Sequence, residues 1–142
     1  DLPNCTVVTG YELWISGHLK KGSDIWLNSP RLYHEASGTS GMTAAMNASL
    51  NLSIPDGWVP EFAKHGKNAF LIDPAEDSLT PEEKDKIEAK NLLDVLENEI
   101  IPTYYGNQKK WISMVKSGMQ DVVPFFDAGR MAQQYYDELY NR

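Results

Sequence analysis

Apolar positions along the chain recur with two periods. Cys5-Thr-Val-Val-Thr-Gly10 is a short β-branched run closed by glycine and predicts a strand. Asp24-Ile-Trp-Leu-Asn28 predicts a second. Ser49-Leu-Asn-Leu-Ser-Ile54 alternates strictly and predicts a third, and Asn68-Ala-Phe-Leu-Ile72 a fourth, stopped by Asp73-Pro74. Between the first two, Ile15 and Leu19 lie four apart, which predicts a short helix from Tyr11 ending at Gly22. Strand, helix and strand within 30 residues form a βαβ unit, whose strands should be parallel. Met42–Asn47 is small and helix-prone, and Trp58–His65 fits one helical stretch.

After Pro74 the period changes. Thr80-Pro-Glu-Glu83 has the form of a capping box with proline at the first helical position. Ala89, Leu92, Leu93, Leu96 and Ile100 continue that helix, and Pro102 is expected to end it. Two further helices are expected, about Lys109–Met119 and Ala128–Tyr140. The chain therefore divides into an α/β portion, 1–74, with a mostly parallel sheet of about four strands, and a helical portion, 75–142. A strand so near the start is read as part of a longer protein.

Composition narrows the function classes. The chain has 142 residues and a formal net charge of -7, a poor match for nucleic acid. No apolar run approaches the ~20 residues of a membrane span, and no basic and apolar leader opens the chain. The single cysteine, Cys5, cannot form an internal disulfide, which fits a reducing, cytoplasmic setting. His18 and His65 lack metal-ligand company, so no metal site is expected.

Glu35-Ala-Ser-Gly-Thr-Ser-Gly41 carries the candidate chemistry. Gly38 and Gly41 bracket Thr39 and Ser40 just before a helix. Converging backbone amides and the helix N-terminus favour an anion there, most often a phosphate. An ordinary turn with Thr39 or Ser40 as N-cap fits the same spacing. The stretch is neither a Walker loop nor a dinucleotide fingerprint. Arg31 is a candidate partner for a phosphate or for Glu35. Asp56 reads as a turn residue, and Trp58, Phe62 and Trp111 as core.

The wording of the stretch is more specific than its spacing. Asp24-Ile-Trp-Leu-Asn-Ser-Pro-Arg31, Glu35-Ala-Ser-Gly-Thr-Ser-Gly-Met42, Ala44-Ala-Met-Asn47 and Asp56-Gly57 with Glu61 closely resemble the α-glucan (glycogen, starch, maltodextrin) phosphorylase family. Leu96-x-Asn-Glu-Ile-Ile-Pro-x-Tyr-Tyr105, Trp111 and Arg130-Met131 extend the resemblance along nearly the whole chain.

That resemblance implies a Rossmann-like domain of the GT-B type, of which this chain is the later part of the second. It implies phosphorolysis of α-1,4-glucan to glucose 1-phosphate with pyridoxal phosphate (PLP) as cofactor. Glu35 matches a glutamate that accepts glucose hydroxyls, and Ala36, Ser37 and Gly38 match sugar-contacting amides. Thr39, Ser40 and Gly41 match the turn beside the cofactor phosphate.

Thr43 stands where the family has its cofactor lysine, so covalent PLP attachment there is excluded, because an imine needs an amine. It is not the nucleotide-contacting glutamate of related synthases either. The basic phosphate ligands and the acceptor-binding domain of the family lie outside the matched segment. The implied partners are α-glucan, phosphate or glucose 1-phosphate, and the remainder of a full-length chain, with the segment alone inactive and homo-oligomerisation left open. A sugar-nucleotide-dependent glucan synthase of the same fold and a non-catalytic glucan-binding domain remain alternatives.

Overall fold

The computed structural model describes residues 3–141. Helix α1 (Leu13–Gly22) leads into β1 (Ile25–Asn28), α2 (Thr39–Met46) and β2 (Leu50–Ser53). A single turn, α3 (Val59–Phe62), then precedes β3 (Phe70–Leu71). The helical portion follows as α4 (Pro81–Val95), α5 (Ile101–Gly106), α6 (Gln108–Phe126) and α7 (Ala128–Tyr135). The three strands lie in chain order and pair in parallel, with Ile25 opposite Leu50 and Leu52 opposite Phe70.

Both faces of the sheet are covered at its central strand β2, while Leu27 of β1 stays half exposed. All four residues of β2 are buried. Leu50, Leu52 and Ile54 join Phe70, Ile72, Ile100, Trp111 and Met114 in one apolar cluster. Ala45, Trp58, Val59, Phe62, Ala69 and Val122 form a second. The strand expected over Ser49–Ile54 forms, and its polar residues Asn51 and Ser53 are buried with the apolar ones. Asn51 Nδ2 donates to the Gly41 carbonyl at 3.2 Å and Ser53 Oγ to that of Ile54 at 2.8 Å, while the buried Asn51 Oδ1 has no hydrogen-bond partner.

The run Cys5–Gly10 is not a strand, and the expected βαβ unit at 5–28 is absent. The described residues hold three strands rather than four. Residues 4–10 are all exposed, and Val7 keeps 83% of its surface in solvent. β-branched residues favour a strand only where a neighbour pairs their backbone and covers one face, and here no strand does so.

Three helical bounds also differ from expectation. Trp58–His65 is helical only over α3, because Ala63 is extended and the buried Asn68 side chain takes the Lys64 amide (2.6 Å) and the Phe62 carbonyl (2.9 Å). Pro102 does not end its helix. A wide π turn, Leu96–Ile100, in which the Ile101 amide reaches back to the Leu96 carbonyl, passes the chain from α4 into α5. Pro102 then falls in the first turn of α5, where a missing N–H costs little. Helix α6 runs beyond Met119 to Phe126, since Val122 and Phe126 belong to the second cluster.

The capping box forms as read. Thr80 accepts the Glu83 amide, and Glu83 accepts the Thr80 amide at 3.0 Å. Thr80→Ala is expected to cost about 1 kcal/mol, measured as a lowered urea midpoint at unchanged slope.

Candidate functional site

The connection from β1 to α2 folds over the turn that follows β2. The bond pattern there decides its shape. Asp56 Oδ2 accepts the amides of His34 (3.0 Å) and Glu35 (2.9 Å), and its Oδ1 accepts that of Gly57 (2.8 Å). The Trp58 amide donates to the Ser37 carbonyl at 2.9 Å. Two short segments, 34–37 and 56–58, are thus stitched together by three hydrogen bonds, and the Gly57 bond fixes the turn that carries Asp56.

Glycine is needed at two positions in this stitch. Gly57 has φ +58, and a Cβ there would lie 2.5 Å from the Ser37 carbonyl oxygen and 2.9 Å from Glu35 Cγ. Gly38 has φ +96, and its added Cβ would meet the Trp58 indole at 2.9 Å. The Glu35 side chain therefore runs through space that two absent side chains leave open. Gly57→Ala combines a left-handed backbone with that clash and is expected to cost about 2–4 kcal/mol. Thermal unfolding of the variant against wild type checks it.

A polar hollow of about 270 Å³ opens between β1 and the start of α2. Trp26 and Asn28 line one side, Glu35 another, and Gly38 to Gly41 the floor. Its lining contains no lysine or arginine. The amides of Gly41 and Met42 turn back onto the Gly38 carbonyl. Those of Thr39 and Ser40, at the head of the helix, have no preceding carbonyl to bond, so they remain for a ligand together with the two hydroxyls. The arrangement offers one anionic acceptor facing several donors, which suits a molecule rich in hydroxyls with a small anionic group. A larger hollow of about 340 Å³ beside Ile25, Tyr104 and Trp111 shares none of these residues and is lined mainly by apolar and aromatic groups.

Ala36 and Ser37 lie exposed on the loop rim, outside the lining of the hollow. Neither Thr39 nor Ser40 is the N-cap of α2: Gly38 holds that position, in left-handed conformation, and both residues lie inside the helix. Thr43 is exposed one turn on, and its hydroxyl donates to the Thr39 carbonyl at 3.0 Å. Arg31 does not meet Glu35; it pairs with Asp85 at 2.9 Å, both exposed. His18 caps back onto the Trp14 carbonyl, and His65 bridges Glu99 and the Leu71 amide. Among the described residues no three metal-ligating side chains gather.

Asp56 is more than the turn residue its sequence position indicates. Burial by itself raises its carboxyl, but the amides of Glu35, Gly57, His34 and Tyr33 together outweigh burial and hold it below the ordinary 3.8. With the folded value depressed, its contribution to stability is complete above the unfolded value. That contribution is lost as pH falls through the folded one. The 21-residue separation from Glu35 hid this pairing from local reading. Trp58, buried beneath Gly38 and Gly41, is core as expected and also the floor of the loop.

The sequence matches part of each of several much longer proteins. The chain is 45% identical over 138 residues to the maltodextrin phosphorylase of Thermococcus litoralis, covering 96% of this chain and 16% of that protein. It is 43% identical over 142 residues to an uncharacterized protein of Methanocaldococcus jannaschii, 99% of this chain and 26% of that one. It is 37% identical over 140 residues to the glycogen phosphorylase of Aquifex aeolicus, 95% of this chain and 20% of that enzyme. No family profile matches the chain. The chain belongs to the α-glucan phosphorylase family. It spans between a sixth and about a quarter of the length of the curated relatives it matches. No helix of the described residues is long and apolar enough to cross a membrane.

Proposed function

We propose that this chain is the sugar-holding part of an α-glucan phosphorylase-like hexosyltransferase. In the whole protein, inorganic phosphate cleaves the terminal α-1,4 bond of a glucan and releases glucose 1-phosphate. The observation that carries this reading is the polar hollow, where the Glu35 carboxylate faces the glycine-opened head of α2. Glu35 accepts hydroxyls of the transferred glucosyl group and fixes its orientation. Gly38 presents backbone to the sugar from the lining, Ala36 and Ser37 from the rim above it, and Thr39, Ser40 and Gly41 receive the phosphate-bearing side. A closed site that fixes a reactant in this way lowers the entropic part of the barrier. The hollow carries no cation of its own, so the charge that neutralises phosphate comes from elsewhere in the full-length chain, and 1–142 alone does not catalyse. We place 1–74 as the Rossmann-like portion of a GT-B domain and 75–142 as its helical continuation, in a cytoplasmic protein.

The family's cofactor, PLP, does not fit here as a tethered group. Thr43 has no amine, and its hydroxyl is committed to the Thr39 carbonyl. The same observation favours a second reading, in which the fold serves a sugar nucleotide or binds glucan without turnover.

Phosphorolysis by the full-length protein tests both. Glucose 1-phosphate released from glycogen in phosphate buffer, measured with and without added PLP, is the expected result. No release in either condition, with transfer from a sugar nucleotide or retention of glycogen instead, overturns the first reading for the second.

A further inference from the structure

We propose that Asp56 is the positioning residue of the glucosyl-holding loop, acting through the backbone of His34 and Glu35. The proposal rests on the reading of that loop as a sugar site. Asp56 keeps 8% of its surface in solvent, and no salt bridge among the described residues includes it. Burying a carboxylate without a counterion is expensive. A turn needs only the bond to Gly57. The other oxygen is spent on two amides 21 and 22 residues earlier, one of them that of Glu35 itself. Those two bonds fix the backbone at His34 and Glu35 and so set where the Glu35 side chain enters the hollow. The neighbouring bond from the Trp58 amide to Ser37 holds the far end of the loop. Asp56 touches no ligand in this scheme.

Asp56→Asn keeps the size of the side chain but turns one acceptor into a donor facing donors. It must forfeit either the Gly57 bond or the pair to His34 and Glu35. The full-length protein is compared with its Asp56→Asn variant by amide hydrogen exchange and by titration with α-D-glucose 1-phosphate. The expected result is a loss of protection of about tenfold or more at His34 and Glu35, with Leu52 in β2 unchanged, and glucose 1-phosphate bound about tenfold more weakly. Unchanged protection at His34 and Glu35 overturns the proposal, and so does an even loss across the whole chain. If wild type does not bind glucose 1-phosphate, the sugar reading falls, while selective loss at the two amides still supports Asp56 as the residue that holds the loop. If the variant does not fold, acid titration of wild type decides. The His34, Glu35 and Gly57 amide resonances are expected to move together with one midpoint below 3.8. Independent behaviour of the three overturns the proposal.

Discussion

Glu35→Ala in the full-length protein is expected to lower kcat/KM for glucan phosphorolysis by about 10- to 100-fold, since hydrogen bonds to a charged group contribute roughly 1.5–3 kcal/mol. The carboxylate is the one acidic group lining the polar hollow. Its removal leaves the donors at the head of α2 without an opposing acceptor, so the sugar loses its orientation as well as its affinity. Glu35 bonds to Asp56 through its backbone amide, which alanine retains. Stability should therefore change little. Steady-state kinetics together with thermal unfolding separate the two effects. Unchanged kcat/KM at unchanged stability would remove Glu35 from the site.

The second large effect is on stability. Trp58→Ala is expected to cost about 3–5 kcal/mol, the range for deleting a buried aromatic side chain. Trp58 is 2% exposed, stacks on Phe62 at 4.2 Å and meets Phe126 edge-on at 5.1 Å. Phe126 comes from the last turn of α6, so the indole joins the loop to the helical portion. Its loss opens a cavity beneath Gly38 and Gly41 and loosens the loop from below. Denaturant unfolding reads the cost directly, and a change under about 1 kcal/mol would mean that neighbouring rings close the gap.

Elements held by near neighbours were legible from sequence. The capping box at Thr80 needs only Glu83, three residues on, and it formed as read. Parallel pairing and the α/β order were also legible from the alternation of strands with helices and hold for β1, β2 and β3, although the unit at 5–28 that suggested them is absent. Most of the failures share one physical cause, which is distance along the chain; Pro102 is the local exception. The Cys5–Gly10 run has strand propensity but no partner. Pro102 reads as a helix stop until the wide turn before it reopens the path. The burial of Asn51 was likewise not visible, because the partner of its side chain is the Gly41 carbonyl ten residues earlier. The Glu35–Gly41 words pointed to the loop, but not to what holds it. Asp56 was visible only as a turn residue, because its partners lie a strand and a helix away.

The stitch between 34–37 and 56–58 also orders the events of folding. Helix α4 has its start signal within one turn and can form as soon as its own residues meet. The loop cannot take its shape until β2 is laid down and carries Asp56 to it, which requires closing about 20 residues of chain. Secondary structure should therefore recover early on refolding, and binding competence late. A chain stalled between the two would give a helical signal with an unformed hollow.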